Sequence, residues 1–330
     1  MTYKPLFDAA TLKQQRPRRD GIDYVYDASL ELAINVALAA GRPLLLAGAP
    51  GTGKSTVAAD IAWKLARRFY PEVITSRTKA QDLQWSFDAV RRLAVATGQD
   101  GDKATKVADQ APYIKPGVLW RAFAPDSAKS HGETQLSRGW QDDGADAVVL
   151  LDEIDKAEPD VPNDLLSVLD QREFVVRETG TSVKASEQLK VLIIITTNGE
   201  RDLPPAFLRR CIAQTIALPT EATALKNWMR EVVSRHFPEL DAGLFEQVHA
   251  IYESLSATAA TSKLFRAPST AELIDAFRAC QELQIKKPGD GPLAQIAQKA
   301  IWKHAKGPDA APASKVGNAT APEATPANGQ

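Results

Sequence analysis

Eight consecutive residues, Gly48-Ala49-Pro50-Gly51-Thr52-Gly53-Lys54-Ser55, join the apolar run Leu44-Leu45-Leu46-Ala47 to a helix-compatible stretch that begins Thr56-Val57-Ala58. They fit the pattern G-x-x-x-x-G-K-[ST], in the strand–loop–helix setting that gives the pattern its meaning. Glycines let backbone N–H groups turn inward toward phosphate, and the N-terminus of the following helix adds positive potential. Lys54 would reach the β- and γ-phosphates of a nucleoside triphosphate, and the Ser55 hydroxyl would hold Mg²⁺. Thr56, the first residue after the motif, is counted with the nucleotide-binding set.

A second pair of chemical groups lies about 100 residues downstream. Val148-Val149-Leu150-Leu151 is an apolar strand that ends in two adjacent carboxylates, Asp152 and Glu153. Ligands of open α/β sheets bind at the carboxyl ends of the strands, which is where this strand delivers them. Asp152 would bind Mg²⁺, directly or through water, and Glu153 would orient and polarise the attacking water. Taken alone, Asp-Glu after a strand is a weak signal, because acidic residues commonly cap helices; following a phosphate loop it gains its force.

The elements that must position these groups can be read from hydrophobic spacing. Leu30, Ala33, Ile34, Ala37 and Leu38 recur at helical intervals between Ala28 and Ala40, and Gly41 with Pro43 stops that helix. Fully apolar runs at Leu44–Ala47, Ala147–Leu151 and Val191–Ile195 have the pattern of central parallel strands buried on both faces. Val73-Ile74-Thr75 and Ile212–Ile216 are two further strand candidates. Strands separated by helical segments mean an α/β domain with a mainly parallel sheet. After Pro219 the strands stop and amphipathic helices follow, one over Ala271–Leu283 with Leu273, Ile274, Phe277 and Cys280 on one face. The organisation expected is an N-terminal extension at 1–27, with a basic cluster at Arg16, Arg18 and Arg19, then a nucleotide-binding domain at 28–218. A helical lid domain at 219–306 and a disordered Ala/Pro/Gly-rich tail at 307–330 complete the chain.

Composition narrows the classes. The chain has 330 residues, 44% apolar and 25% charged, with a formal net charge of −1. No bulk field draws it to nucleic acid or an anionic membrane, so nucleic acid is not indicated as a partner. The most apolar long stretch, Ala28–Ala49, is interrupted by Glu31, Asn35, Arg42 and Pro43, which leaves no membrane span. Two distant cysteines, Cys211 and Cys280, and the lack of a secretory leader at the N-terminus point to a reducing, cytoplasmic setting. The four histidines are scattered and suggest no metal site.

With Gly48–Ser55, Leu150-Leu151-Asp152-Glu153-Ile154-Asp155 and Ile195-Thr196-Thr197-Asn198 in this order, the chain resembles AAA+ ATPases. It looks most like the MoxR branch and the dynein-related class near it, over residues 22–285. The resemblance implies an αβα sandwich followed by a small all-α lid, ATP and Mg²⁺ as ligands, and a homo-oligomeric ring, typically a hexamer. Asn198 falls where the family keeps its sensor-1 residue, a polar group that helps position the hydrolytic water. Leu203–Cys211 looks like the segment that carries an arginine finger for the neighbouring subunit, with Arg210 as the finger and Arg209 as the alternate. The sensor-2 position of the family falls on Thr270, and Arg266 is the residue that could substitute for an arginine there. The loop Ser76-Arg77-Thr78-Lys79-Ala80-Gln81 carries none of the aromatic residues that unfoldases use to grip a threaded chain.

An insertion within about 97–146 matches the helix-two insertion of the MoxR group, with Pro112–Trp120 expected to be extended and 124–146 mobile. Phe174–Val176 and Ser182–Lys184 around Thr179-Gly180 resemble a hairpin that precedes sensor 1. Trp85, Trp120 and Trp140 are candidates for a partner surface, with core packing at least as good a reading for the first two. The function implied is an ATP-driven remodelling or assembly factor that works with a partner containing a von Willebrand factor A-type domain. The alternative is an NTP-driven motor subunit of a nucleic-acid restriction or defence system. A third, an ATP-binding switch with little turnover, sits poorly with the presence of Lys54, Asp152, Glu153 and Asn198 together.

Overall fold

The computed structural model describes residues 4–12, 24–97, 109–131, 146–261, 267–287 and 292–301. It divides into two units, Met1–Glu239 and Leu240–Gln330.

In the first unit, helix α1 (Ala28–Ala40) opens with Asp27 accepting a hydrogen bond from the Leu30 amide and closes on Gly41 in the left-handed conformation. Strand β1 (Leu44–Ala47) leads through the glycine-rich loop into α2 (Lys54–Lys64), and β2 follows at Arg68–Val73. Three further strands, β5 (Ala147–Asp152), β8 (Val191–Thr197) and β9 (Ile212–Thr215), complete a five-stranded parallel sheet ordered β2-β5-β8-β1-β9. Between β2 and β5 lie α3 (Ala80–Gln84), α4 (Ala89–Thr97) and an antiparallel pair, β3 (Trp85–Phe87) with β4 (Ile114–Pro116). A second antiparallel pair, β6 (Glu173–Val176) with β7 (Thr181–Lys184), precedes β8 as the hairpin expectation has it, turning at Gly180 with φ 70°.

Side chains alternate across the sheet, as strand geometry requires. Leu44, Leu46, Val148, Leu150, Leu192 and Ile194 pack against α1 and α2, whereas Leu45, Val149, Leu151, Ile193 and Ile195 face a second core holding Trp120, Phe123 and Phe174. Both faces are therefore covered, and the architecture is the αβα sandwich. Each fully buried Leu or Ile contributes about 1.5–3 kcal/mol, so the seven-residue run of β8, buried throughout, anchors the sheet. The second unit is helical, with helices at Ala242–Thr261, Thr270–Glu282 and Leu293–Ile301. Ser269 and Glu272 form a capping box at the start of the middle one.

Several expectations need correction. The second strand is Arg68–Val73, not Val73–Thr75. Its arginine and Pro71 hide it from a hydrophobic scan, and Pro71 is tolerated because β2 lies at the sheet edge. Val118–Trp120, the end of the segment expected as extended, belong to a helix, Val118–Phe123, whose Trp120 and Phe123 are completely buried. Pro125–Ser130, expected as mobile, is also helical, with Ala128 buried and the Trp120 indole N–H donating to Ser127 Oγ at 3.2 Å. Trp85 and Trp120 belong to the core, and Trp140 lies outside the described residues, as do Arg16, Arg18, Arg19, Arg266 and the tail.

Phe7, in the N-terminal segment, is 1% exposed and joins the core against α1. It is held there by Asn35, whose Oδ1 accepts from the Leu6 and Phe7 amides at 2.6 and 2.8 Å while its Nδ2 donates to the Phe7 carbonyl at 2.7 Å. Replacing Asn35 by Ala leaves these backbone groups unpaired, the buried amide and carbonyl of Phe7 among them. We expect Asn35→Ala to lower unfolding stability by about 1–3 kcal/mol in urea titration and to expose residues 4–12 to limited proteolysis.

Candidate active site

The phosphate loop takes its shape from two backbone constraints. Gly53 caps α2 with φ 86°, and a Cβ there would meet the Tyr24 ring at 3.0 Å. A Cβ on Gly48 would lie 2.6 Å from the Ile216 carbonyl oxygen, so β9 closes against the loop too tightly for any side chain. The Thr52 hydroxyl donates to the Ala49 carbonyl at 2.9 Å and pins the turn.

Lys54 is 6% exposed and its ammonium donates to the Gly48 and Ala49 carbonyls at 2.7 and 2.9 Å. Burial pulls its pKa below the usual lysine value, and the carboxylates of Asp152, Asp155 and Glu153 oppose that shift. A buried cation satisfied only by carbonyl dipoles is a group prepared for an anion. Ser55 Oγ stands 2.9 and 2.8 Å from the two carboxylate oxygens of Asp152. That places a hydroxyl and a carboxylate, both hard oxygen donors, side by side at the mouth of a phosphate loop. Mg²⁺ characteristically takes one or two such protein oxygens and fills its octahedron with water and substrate phosphates, so this donor set fits it. Among the described residues no group of three or more His, Cys, Asp and Glu forms a fuller metal cage.

Glu153 adopts φ 61° and ψ 49°, a left-handed conformation that a residue with a side chain holds at a cost of about 1–3 kcal/mol. Its carboxylate accepts from Asn198 Nδ2 at 3.2 Å through Oε1 and pairs with Lys156 Nζ at 3.0 Å through Oε2. That pairing raises the Lys156 pKa. The carboxylates read from the end of β5 and the asparagine read from the end of β8 thus meet in space.

Two residues that the sequence reading passed over bind this group together. Thr196, with 0% exposure, accepts from the Glu153 amide at 2.8 Å and donates to Asp152 Oδ1 at 2.5 Å. Asp155, 3% exposed, accepts from the Asn198 and Glu200 amides at 3.1 and 2.9 Å. The available signals were the Thr196-Thr197 doublet before Asn198 and the second aspartate in Asp152-Glu153-Ile154-Asp155, but neither declares its partner in the sequence.

The arginine pair lies apart from this cluster in the described contacts. Arg210 is ion-paired with Asp170 and also donates to the Ala206 carbonyl at 3.0 Å. Arg209 is exposed, and its carbonyl accepts from Arg42 at 2.7 Å. Thr270 is buried at 5% exposure in the helical unit, with no hydrogen-bond partner for its hydroxyl among the described residues. Tyr24, whose ring closes on Gly53, has its pKa raised by burial and then by Asp27 and Asp60.

A family model described as AAA domain (dynein-related subfamily) matches residues 43–211, just over half of the chain. Among solved structures, a point mutant of RuvB from Thermotoga maritima aligns at 14% identity and a TM-score of 0.45, covering 84% of this chain and 70% of its own. A candidate ATPase from Cytophaga hutchinsonii aligns at 13% identity and a TM-score of 0.38, covering 84% of this chain and 83% of its own. No curated protein sequence matches the chain.

Asp155 generates a stability prediction. Asp155→Ala strands two part-buried amides and should lower the urea midpoint by an amount equivalent to about 1–3 kcal/mol, whereas Asp155→Asn keeps an acceptor oxygen and should cost less. Equal losses in the two variants would show that the amide contacts are not what the carboxylate supplies.

Proposed function

The chain belongs to the dynein-related subfamily of AAA domain proteins, and from that premise we propose that it binds MgATP at Gly48–Thr56 and hydrolyses it. One observation carries this reading: Lys54, Ser55, Asp152, Glu153 and Asn198, at or just beyond the carboxyl ends of three strands, are linked by hydrogen bonds or close charges. In this reading the Gly48–Gly53 amides and Lys54 bind the phosphates, and Ser55 with Asp152 holds Mg²⁺. The metal, when bound, neutralises charge developing on the phosphoryl oxygens. Glu153 accepts a proton from water as it attacks, and Asn198 fixes the carboxylate in the orientation for that transfer.

The protein is read as a ring-shaped homo-oligomer, hexameric by family resemblance, in which Arg210, or Arg209, enters the neighbouring subunit's site. Members of this family commonly form such rings. Arg210 must leave Asp170 to do so, while Arg209 is already exposed. The work performed is remodelling or assembly of a partner protein, with a von Willebrand factor A-type partner expected from the MoxR-like motifs. A cleft of about 910 Å³ lined by Arg77, Lys79, Trp85, Phe174, Val175 and Arg177 supports engagement of a polypeptide by the face opposite α1 and α2. Both cysteines are buried free thiols, which agrees with a cytoplasmic location.

Lys54→Ala should abolish nucleotide binding in calorimetric titration. Glu153→Gln should bind ATP at parental affinity and leave it uncleaved; turnover at the parental rate would remove Glu153 from the role of base.

The shared-site reading has its own test. Arg210→Ala should bind ATP normally and lose about 10³-fold or more in hydrolysis, with Arg209→Ala as the comparison. Mixing the Arg210 and Lys54 variants should restore part of the activity, because some interfaces then join an intact arginine to an intact loop. A mixture that stays inactive while mixed rings form would exclude a finger in trans.

A further inference from the structure

We propose that Thr196 is a positioning residue of the hydrolytic centre, fixing the Asp152 carboxylate for Mg²⁺ and the Glu153 backbone for water activation. The inference rests on the function proposed above and adds a residue to which that reading assigns no role.

Thr196 is completely buried on β8, paired with Leu46 of β1 and one residue beyond the Leu151–Ile195 pair that joins β8 to β5. The Glu153 amide donates to its oxygen at 2.8 Å, so its single hydroxyl proton must serve an acceptor elsewhere, and Asp152 Oδ1 lies 2.5 Å away. Hydrogen bonds to an ionised carboxylate are among the strong ones, and here the donor is fully buried while the bond itself is part-buried.

What the bond decides is which way the carboxylate faces. Ser55 Oγ is nearly equidistant from both Asp152 oxygens, at 2.9 and 2.8 Å, and cannot by itself choose between them. Thr196 touches Oδ1 only. It therefore breaks the symmetry and holds the rotation of the carboxylate, leaving Oδ2 with Ser55 as its one hydrogen-bond partner among the described residues. Its second bond anchors the amide of Glu153 in the left-handed conformation that aims the Glu153 side chain at Asn198. The neighbouring Thr197 has a different task, accepting from the Gly199 amide at 3.0 Å. One hydroxyl thus couples the metal-facing carboxylate to the water-facing one, as groups behind a metal ligand characteristically do.

Two reciprocal substitutions separate this role from packing. Thr196→Val keeps the shape and loses the hydroxyl; Thr196→Ser keeps the hydroxyl and loses the methyl. We expect Thr196→Val to lower kcat and the apparent Mg²⁺ affinity by about 10–100-fold each, with Thr196→Ser restoring both to within about twofold of the parent. Calorimetry without Mg²⁺ should show parental ATP affinity in both variants, because the phosphate loop is untouched. Parental Mg²⁺ dependence and turnover in Thr196→Val, or equal damage in Thr196→Ser, overturns the proposal. If thermal unfolding shows that the Val variant does not fold, the Ser variant decides alone: a hydroxyl role predicts near-parental values and a packing role predicts loss. Glu153→Gln is assayed alongside. If it turns over ATP like the parent, the hydrolytic reading and this inference fall together. If turnover depends on Glu153 while Thr196→Val is unaffected, only the inference falls.

Discussion

Parallel strands held in one register are the constraint on which the rest of this molecule depends. Because β5, β8 and β1 run the same way and are paired nearly flush, their carboxyl ends finish on one edge, with Leu151 opposite Ile195 and Ala47 opposite Thr197. Each strand then releases its chemical groups into the same small volume: the phosphate loop from β1, Asp152 and Glu153 from β5, Asn198 from β8. A shift of one residue in any pairing would turn every side chain of that strand to the opposite face and scatter the site. What resists such a shift is apolar burial on both faces of all three strands, most completely in β8.

Within the site, the polar groups satisfy one another. Lys54 rests on two carbonyls of its own loop, Ser55 on Asp152, and Glu153 between Asn198 and Lys156. Such an arrangement keeps buried charge tolerable while holding every donor and acceptor within reach of a ligand. It also concentrates backbone strain where it is useful, since Glu153 occupies a conformation rare for a residue with a side chain. The contacts that hold it there come from Thr196 and Asn198, both supplied by the neighbouring strand or its end.

The segment between β2 and β5 shows how a surface is built on the core of the sheet. Trp85 stacks on Phe174 at 5.7 Å and donates its indole N–H to Glu178 at 2.7 Å, so the β3–β4 pair and the β6–β7 hairpin are tied together. Both flank the cleft that carries Arg77, Lys79 and Arg177. Beside them α4 buries none of its residues, leaving Val90 and Leu93 exposed.

The amino-acid sequence determined the class of fold and the location of the chemistry, because both rest on local signals. Apolar runs too hydrophobic for a solvated face mark central strands, and the glycine spacing before Lys54 marks a tight loop between a strand and a helix. The helix stop at Gly41 followed from a cap of the same local kind. Tertiary structure decided what depends on partners distant in the chain. The strand Arg68–Val73 looks polar because an edge position, not its composition, admits Pro71 and its arginine. Helices at Val118–Phe123 and Pro125–Ser130 are too short to show a period and are stabilised by the core into which Trp120 and Ala128 pack. Thr196 and Asp155 acquire meaning only when β5 and β8 lie side by side, since the atoms they bind are more than forty residues away. Spacing along a chain can announce a loop or a cap, but a hydrogen bond between strands exists only once the sheet has set their register.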